Sequence, residues 1–152
     1  MIDDRSSCLE RHESPSIRPS AATRIPSAAG TFDSLFLNWK DELTECTVSN
    51  LFFISGKPLH TPALDCGILD GITRTIVMTL AQEEGVPVRE GHYHLADLQR
   101  AEECFLTNTS MEIMPVNRVD SFAIGDGRPG SLTRRLQTRF ADSRARFLEP
   151  PS

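Results

Sequence analysis

The stretch Gly67-Ile68-Leu69-Asp70-Gly71-Ile72-Thr73-Arg74 constrains the chain most, because a turn punctuated by two glycines runs straight into an apolar-periodic segment, Ile72 to Glu84. Ile72, Ile76 and Leu80 fall on one stripe with Val77 and Ala81 beside it, which is the spacing of an amphipathic helix. Gly85 stops it. A helix that starts on a glycine loop presents backbone N–H groups without intrahelical partners, together with the positive end of its dipole. It is therefore a seat for an anion, and the Thr73 hydroxyl adds a donor. Many purely structural helices begin the same way, so the surrounding sequence has to decide.

Around this segment, strand-like runs alternate with turns. Ser34-Leu35-Phe36-Leu37-Asn38 has strand length, and the turn Asn38-Trp39-Lys40-Asp41 returns it through Leu43 to Glu45 as a hairpin. Asn50-Leu51-Phe52-Phe53-Ile54 is a second aromatic and β-branched run, closed by Ser55-Gly56-Lys57-Pro58 before Leu59-His60-Thr61 comes back. Val86 to Tyr93 has strand character with Pro87 at an edge or a strand start, and Leu95 to Arg100 suits a short helix. Cys104-Phe105-Leu106-Thr107 reads as a buried strand that emerges at Asn108-Thr109-Ser110, and Ile113 to Val119 as another. After the Gly125–Gly130 turn, Pro129 suits the first turn of a helix whose Leu132, Leu136 and Phe140 share a face. Its arginines, Arg134, Arg135, Arg139, Arg144 and Arg146, read as a solvated face.

With 152 residues, 39% hydrophobic and 24% charged, one modest globular domain is the expectation. The net charge of -5 gives no reason to expect nucleic acid or an anionic membrane as partner. No apolar run is long enough to cross a bilayer, and the acidic opening Met1-Ile2-Asp3-Asp4-Arg5 does not read as a secretory signal, so a cytoplasmic location is expected. Cys8, Cys46, Cys66 and Cys104 lack paired spacing and read as free thiols, with no metal site expected. Residues 1–29, rich in Ser, Pro, Arg and Ala without periodicity, read as disordered or poorly ordered, and the domain as running from 30 to 148.

Three blocks acquire meaning together: Glu45-Cys46-Thr47-Val48-Ser49-Asn50, the Gly67–Arg74 turn, and Phe105 through Thr109 and Ser110 to Val116. With the Ile124-Gly125-Asp126-Gly127-Arg128-Pro129-Gly130 turn, their order and spacing resemble the class IV pyridoxal-phosphate aminotransferases over about Gly30 to Phe140. That group holds branched-chain and D-amino-acid transaminases and aminodeoxychorismate lyase. The resemblance covers only the C-terminal portion of such an enzyme, and it implies an α/β fold: a mostly antiparallel sheet closing into a barrel-like shape, with helices flanking it. It implies pyridoxal 5'-phosphate as cofactor, an amino acid and a 2-oxo acid as substrates, and a homodimer. Branched-chain-type amino transfer is the leading reading and the lyase reaction the alternative. Gly71, Ile72 and Thr73, with Asn108 and Thr109, would hold the phosphate from two loops. Glu45 would keep the ring nitrogen protonated, since a carboxylate stabilises a neighbouring pyridinium, and Leu69 would pack against the ring. Taken singly, Glu45 is an ordinary strand-end carboxylate and Thr109 and Ser110 are ordinary turn residues.

The family also requires a lysine, upstream of the glutamate, to bond the cofactor's aldehyde as a Schiff base. Lys40 and Lys57 are the only lysines, and both fall in hairpin turns. Ser6 to Ala29 offers Arg11, Arg18 and Arg24, but arginine stays protonated and is no amine nucleophile. The chain is accordingly expected to be truncated, lacking the smaller N-terminal domain, to bind the cofactor weakly at best, and to have no catalytic residue of its own. A non-catalytic remnant or dimerisation module is the rival from another class, and the N-terminal tail reads as either native or a frameshift product.

Overall fold

In the computed structural model, residues 17–26 and 32–147 are described. The centre of the fold is β4 (Asn50–Ile54), in which every residue is buried. Its neighbours make a five-stranded sheet in the order β6 (Val88–Gly91), β5 (Leu59–Pro62), β4, β7 (Glu103–Asn108), β8 (Glu112–Pro115). Only β5 and β6 run parallel. Parallel neighbours need a crossover, and α1 (Ile72–Glu83) supplies it after a short 3-10 turn at Leu64–Cys66. Pro87, which cannot donate to a ladder, stands just ahead of the edge strand β6.

Side chains alternate across a strand, and β4 uses both faces. Phe52 and Ile54 face α1 and α3 (Ser131–Asp142), where they meet Ile76, Val77, Leu80, Leu132, Leu136 and Phe140. Phe52 stacks on Phe105 of β7, ring centroids 5.1 Å apart. Leu51 and Phe53 point the other way, toward Leu35, Leu43 and Cys46 of a second sheet. That sheet has three antiparallel strands, β1 (Ile17–Pro26), β2 (Phe32–Asn38) and β3 (Leu43–Cys46). The short helix α2 (Leu95–Gln99) adds Leu98 to the same core.

Several expectations need correction. Among the described residues no sheet closes into a barrel: the three- and five-stranded sheets meet through packed side chains, and the backbone link between them is an isolated antiparallel bridge, Glu42 to His94 just past β6, with Leu43 N donating to Tyr93 O at 2.6 Å. Residues 17–26, expected without regular structure, form β1 against β2; the remainder of 1–29 lies outside the described residues apart from this strand. The strand expected over Ile113 to Val119 is broken. β8 ends at Pro115, and β9 (Arg118–Val119) pairs instead with β10 (Phe122–Ala123).

Pro129 does not enter α3, whose N-cap is Gly130. The Glu103 carboxylate sits there, accepting from Thr133 N at 2.8 Å, Thr133 Oγ1 at 2.7 Å and Leu132 N at 3.4 Å. A Cβ at Gly130 would overlap that carboxylate. Three of the arginines read as a solvated face make ion pairs at the surface: Arg139 and Arg146 with Glu83, and Arg144, in the short helix α4 (Arg144–Phe147), with Glu112.

Because Phe52 joins the sheet to both helices, Phe52→Ala is expected to cost about 3–5 kcal/mol of stability, read as a lowered midpoint in urea with an unchanged slope.

Candidate functional site

Where β3 ends, β4 begins, β7 ends and α1 starts, the chain leaves a cleft of about 190 Å³. Glu45, Leu69, Gly71, Ile72, Thr73, Asn108 and Thr109 all line it, so one cleft gathers every residue singled out for the cofactor. Cys46 to Asn50 and Thr107 complete the wall.

Each loop is held by its own hydrogen bonds. The turn after β3 closes with Cys46 N donating to Ser49 O at 2.8 Å. Buried Asp33 braces it from beneath, accepting from Thr47 N at 2.8 Å and Ser49 Oγ at 3.0 Å. Asn108 Nδ2 donates to Ser49 Oγ at 3.2 Å, tying the loop after β7 to this turn. Asn108 Oδ1 accepts from Met111 N at 2.6 Å and so shapes the turn that carries Thr109. The Asn108 side chain thus serves the loops that frame the cleft.

The Leu69–Gly71 segment is clamped from the opposite side. Asn50 Nδ2 donates to Leu69 O at 2.9 Å, and Leu69 N donates to Glu45 Oε2 at 3.1 Å. Gly71 has an ordinary extended backbone, φ -69°. Its need is space, because a Cβ there would overlap Asn50 Oδ1. Helix α1 therefore starts in close contact with the beginning of β4.

That start carries no side-chain cap and no acidic residue in its first turn. The first intrahelical bond runs from Thr75 N to Gly71 O, which leaves the N–H groups of Ile72, Thr73 and Arg74 to other partners. The Arg74 guanidinium is committed elsewhere, donating to Glu90 Oε1 at 2.7 Å and Pro62 O at 3.1 Å. Thr73 is buried. Thr107 Oγ1 is buried in the wall without a hydrogen-bond partner, a state that costs about 1–3 kcal/mol. Burial pushes the Glu45 carboxyl above the ordinary carboxylate value, partly offset by the Leu69 N–H. Leu69 and Ile72 stand exposed at 73% and 70%, apolar surface beside the cleft that both of them line.

The sequence alone did not single out Thr107 or Asp33. Thr107 ends an apolar run and passes for one more strand residue, and Asp33 is an isolated acid ahead of Ser34. A polar residue at the last inward position of a buried strand was the available signal for the first; the second carries none.

Residues 21–119 match the family described as amino-transferase class IV. The chain is 38% identical over 102 residues to the D-alanine aminotransferase of Listeria monocytogenes, covering 67% of this chain and 35% of that one. With the aminodeoxychorismate lyase of Bacillus subtilis it shares 34% identity over 105 residues, 69% of this chain and 36% of the other. Two solved structures, the branched-chain amino acid aminotransferases of Escherichia coli and, in its pyridoxal-phosphate form, of Thermobaculum terrenum, each superpose with a TM-score of 0.71 at 35% identity. In both, 76% of this chain covers 38% of the other. The chain belongs to the class IV aminotransferase family. It spans little more than a third of the length of these relatives.

A carbon-13 NMR titration is expected to show Glu45 taking up its proton above 4.5. A carboxyl whose folded pKa is raised binds its proton more tightly in the folded chain, so stability falls as pH rises from 4.5 through the raised value. Glu45→Gln is expected to remove that part of the decline.

Proposed function

We propose that the cleft holds the phosphate and ring of pyridoxal or pyridoxamine 5'-phosphate without a covalent bond to the protein. One observation carries this reading: an uncapped helix start, a buried hydroxyl lacking a partner and a half-buried carboxylate share one small cleft. A phosphate dianion matches the open N–H groups of α1, and its oxygens would accept from the hydroxyls of Thr73, Thr107 and Thr109. The Glu45 carboxylate, costly to ionise where it is, gains from a pyridinium beside it. Leu69 and Ile72 supply apolar surface for the ring to cover.

When bound, the cofactor supplies an electron sink for an amino acid substrate. In the family reading the reaction moves an amino group from an amino acid to a 2-oxo acid. The residues of the cleft address the phosphate and ring, the parts that transamination and the lyase reaction share. Lys40 and Lys57 are exposed on the β2–β3 and β4–β5 turns, and neither lines the cleft. The chain by itself is therefore assigned cofactor binding without turnover. A homodimer belongs to the same reading and would cover the exposed Leu64 and Met111. So does a cytoplasmic setting, which the free thiols of Cys46, Cys66 and Cys104 suit. No helix among the described residues is long and apolar enough to cross a membrane.

Calorimetric titration with pyridoxamine 5'-phosphate and with pyridoxamine separates the parts of this reading. The phosphorylated form is expected to bind more tightly, with Thr109→Val weakening it by about 10-fold, roughly one charge-assisted hydrogen bond. Equal affinity for the two forms overturns the phosphate assignment. Amino transfer from D-alanine or a branched-chain amino acid by this chain overturns the assignment of no turnover.

A further inference from the structure

Away from the cofactor cleft, three side chains from distant parts of the sequence converge where loops meet. Glu42 leads into β3, Cys66 ends the 3-10 turn after β5, and His92 follows β6. Cys66 Sγ lies 3.5 Å from His92 Nδ1 and 3.9 Å from Glu42 Oε2, and the last two atoms are 3.0 Å apart. We propose that Glu42, Cys66 and His92 form a zinc-binding site, with Asp65 orienting the histidine.

The spacing is the first argument. Zinc bonds of about 2.0–2.3 Å in a tetrahedron put neighbouring ligand atoms roughly 3.2–3.6 Å apart, and the triangle of observed distances brackets that range. The donor set is the second: one thiolate, one imidazole and one carboxylate suit a borderline-soft ion and carry a combined charge opposite to its own. Binding displaces the thiol proton to solvent.

The surroundings supply the third. A ligating histidine usually gives its other ring nitrogen to a carboxylate, which fixes its tautomer and orientation. His92 Nε2 lies 3.2 Å from Asp65 Oδ1. The Glu42 carboxylate is set in turn by Asn38, whose Nδ2 donates to Oε2 at 2.9 Å while its Oδ1 accepts from Glu42 N at 3.0 Å. Cys66 is fully buried and Glu42 nearly so, whereas His92 has a side chain 45% exposed and leaves a path from solvent. Three protein ligands leave the fourth position to water.

Such an ion would fasten the loop after β5 to the β2–β3 turn and to the loop after β6. Leu69 and Gly71, which line the cofactor cleft, lie on that loop a few residues past Cys66. The zinc site nevertheless stands independently of the cofactor reading, since none of its three ligands lines that cleft.

The test uses the full chain, stripped with a chelator and titrated with zinc in competition with a chromophoric chelator, then with cobalt. One equivalent is expected to bind, and the cobalt form to show a sulfur-to-cobalt charge-transfer band. Cys66→Ser is expected to abolish the band. His92→Gln, at a half-exposed position, is expected to weaken zinc by more than about 10-fold, and Asp65→Asn by about 10–100-fold. His94→Gln, on the exposed neighbour, is expected to change nothing. Failure to bind one equivalent, a band that survives Cys66→Ser, or equal effects of His92→Gln and His94→Gln overturns the proposal and leaves a hydrogen-bonded Glu–His–Cys triad.

Discussion

Double-sided burial of β4 is the constraint on which the rest of the molecule depends. A strand whose alternate residues enter two different cores cannot slip by one position without exchanging them. Phe52 and Ile54 would leave the helices for the second sheet, and Leu51 and Phe53 the reverse. Its register against β7 places Asn50 opposite Thr107. Those two residues stand at the end of the sheet where the cleft opens, so the packing that holds the fold also sets the two sides of the site.

The two long helices treat their N-termini in opposite ways. Helix α3 receives a carboxylate from within the chain, Glu103, bonded to its first-turn N–H groups and to the Thr133 hydroxyl. Helix α1 receives none; its first turn meets Asn50 at close range, and the neighbouring cleft holds Thr107 with an unsatisfied hydroxyl. Both starts follow a glycine in the sequence, Gly130 and Gly71. In each case the glycine answers a steric demand: a Cβ would overlap Glu103 in one and Asn50 in the other.

What was legible in the sequence divides along the same physical line. Local periodicity was enough for α1, because Ile76 and Leu80, with Val77 and Ala81 beside them, repeat at helical spacing and enter one core, although Ile72, expected on the same stripe, stands exposed at the helix start. The apolar run at 50–54 and the buried strand ending near Thr107 were legible for the same reason. β1 was not, since its residues show no pattern of their own and become a strand only through pairing with β2. The break at Pro115 and the capping of α3 by Glu103 depend on neighbours remote in sequence, as does the meeting of Glu42, Cys66 and His92 across separations of 24 and 26 residues. The gathering of Glu45, Thr73 and Thr109 was foreseen through family resemblance, not through spacing. The expected barrel overstated closure: among the described residues the two sheets share packed side chains and one isolated bridge, Glu42 to His94, instead of a continuous ladder.

The clamp on Leu69 bears on how quickly a visitor can be captured. Its carbonyl is held by Asn50 and its amide by Glu45, so the wall of the cleft is already in place before anything arrives. Little ordering entropy remains to be lost at that point. Under the proposed function, capture would proceed at the pace of diffusional encounter and orientation instead of waiting on a slow loop rearrangement, and differences among small-molecule visitors would be left to how long each one stays.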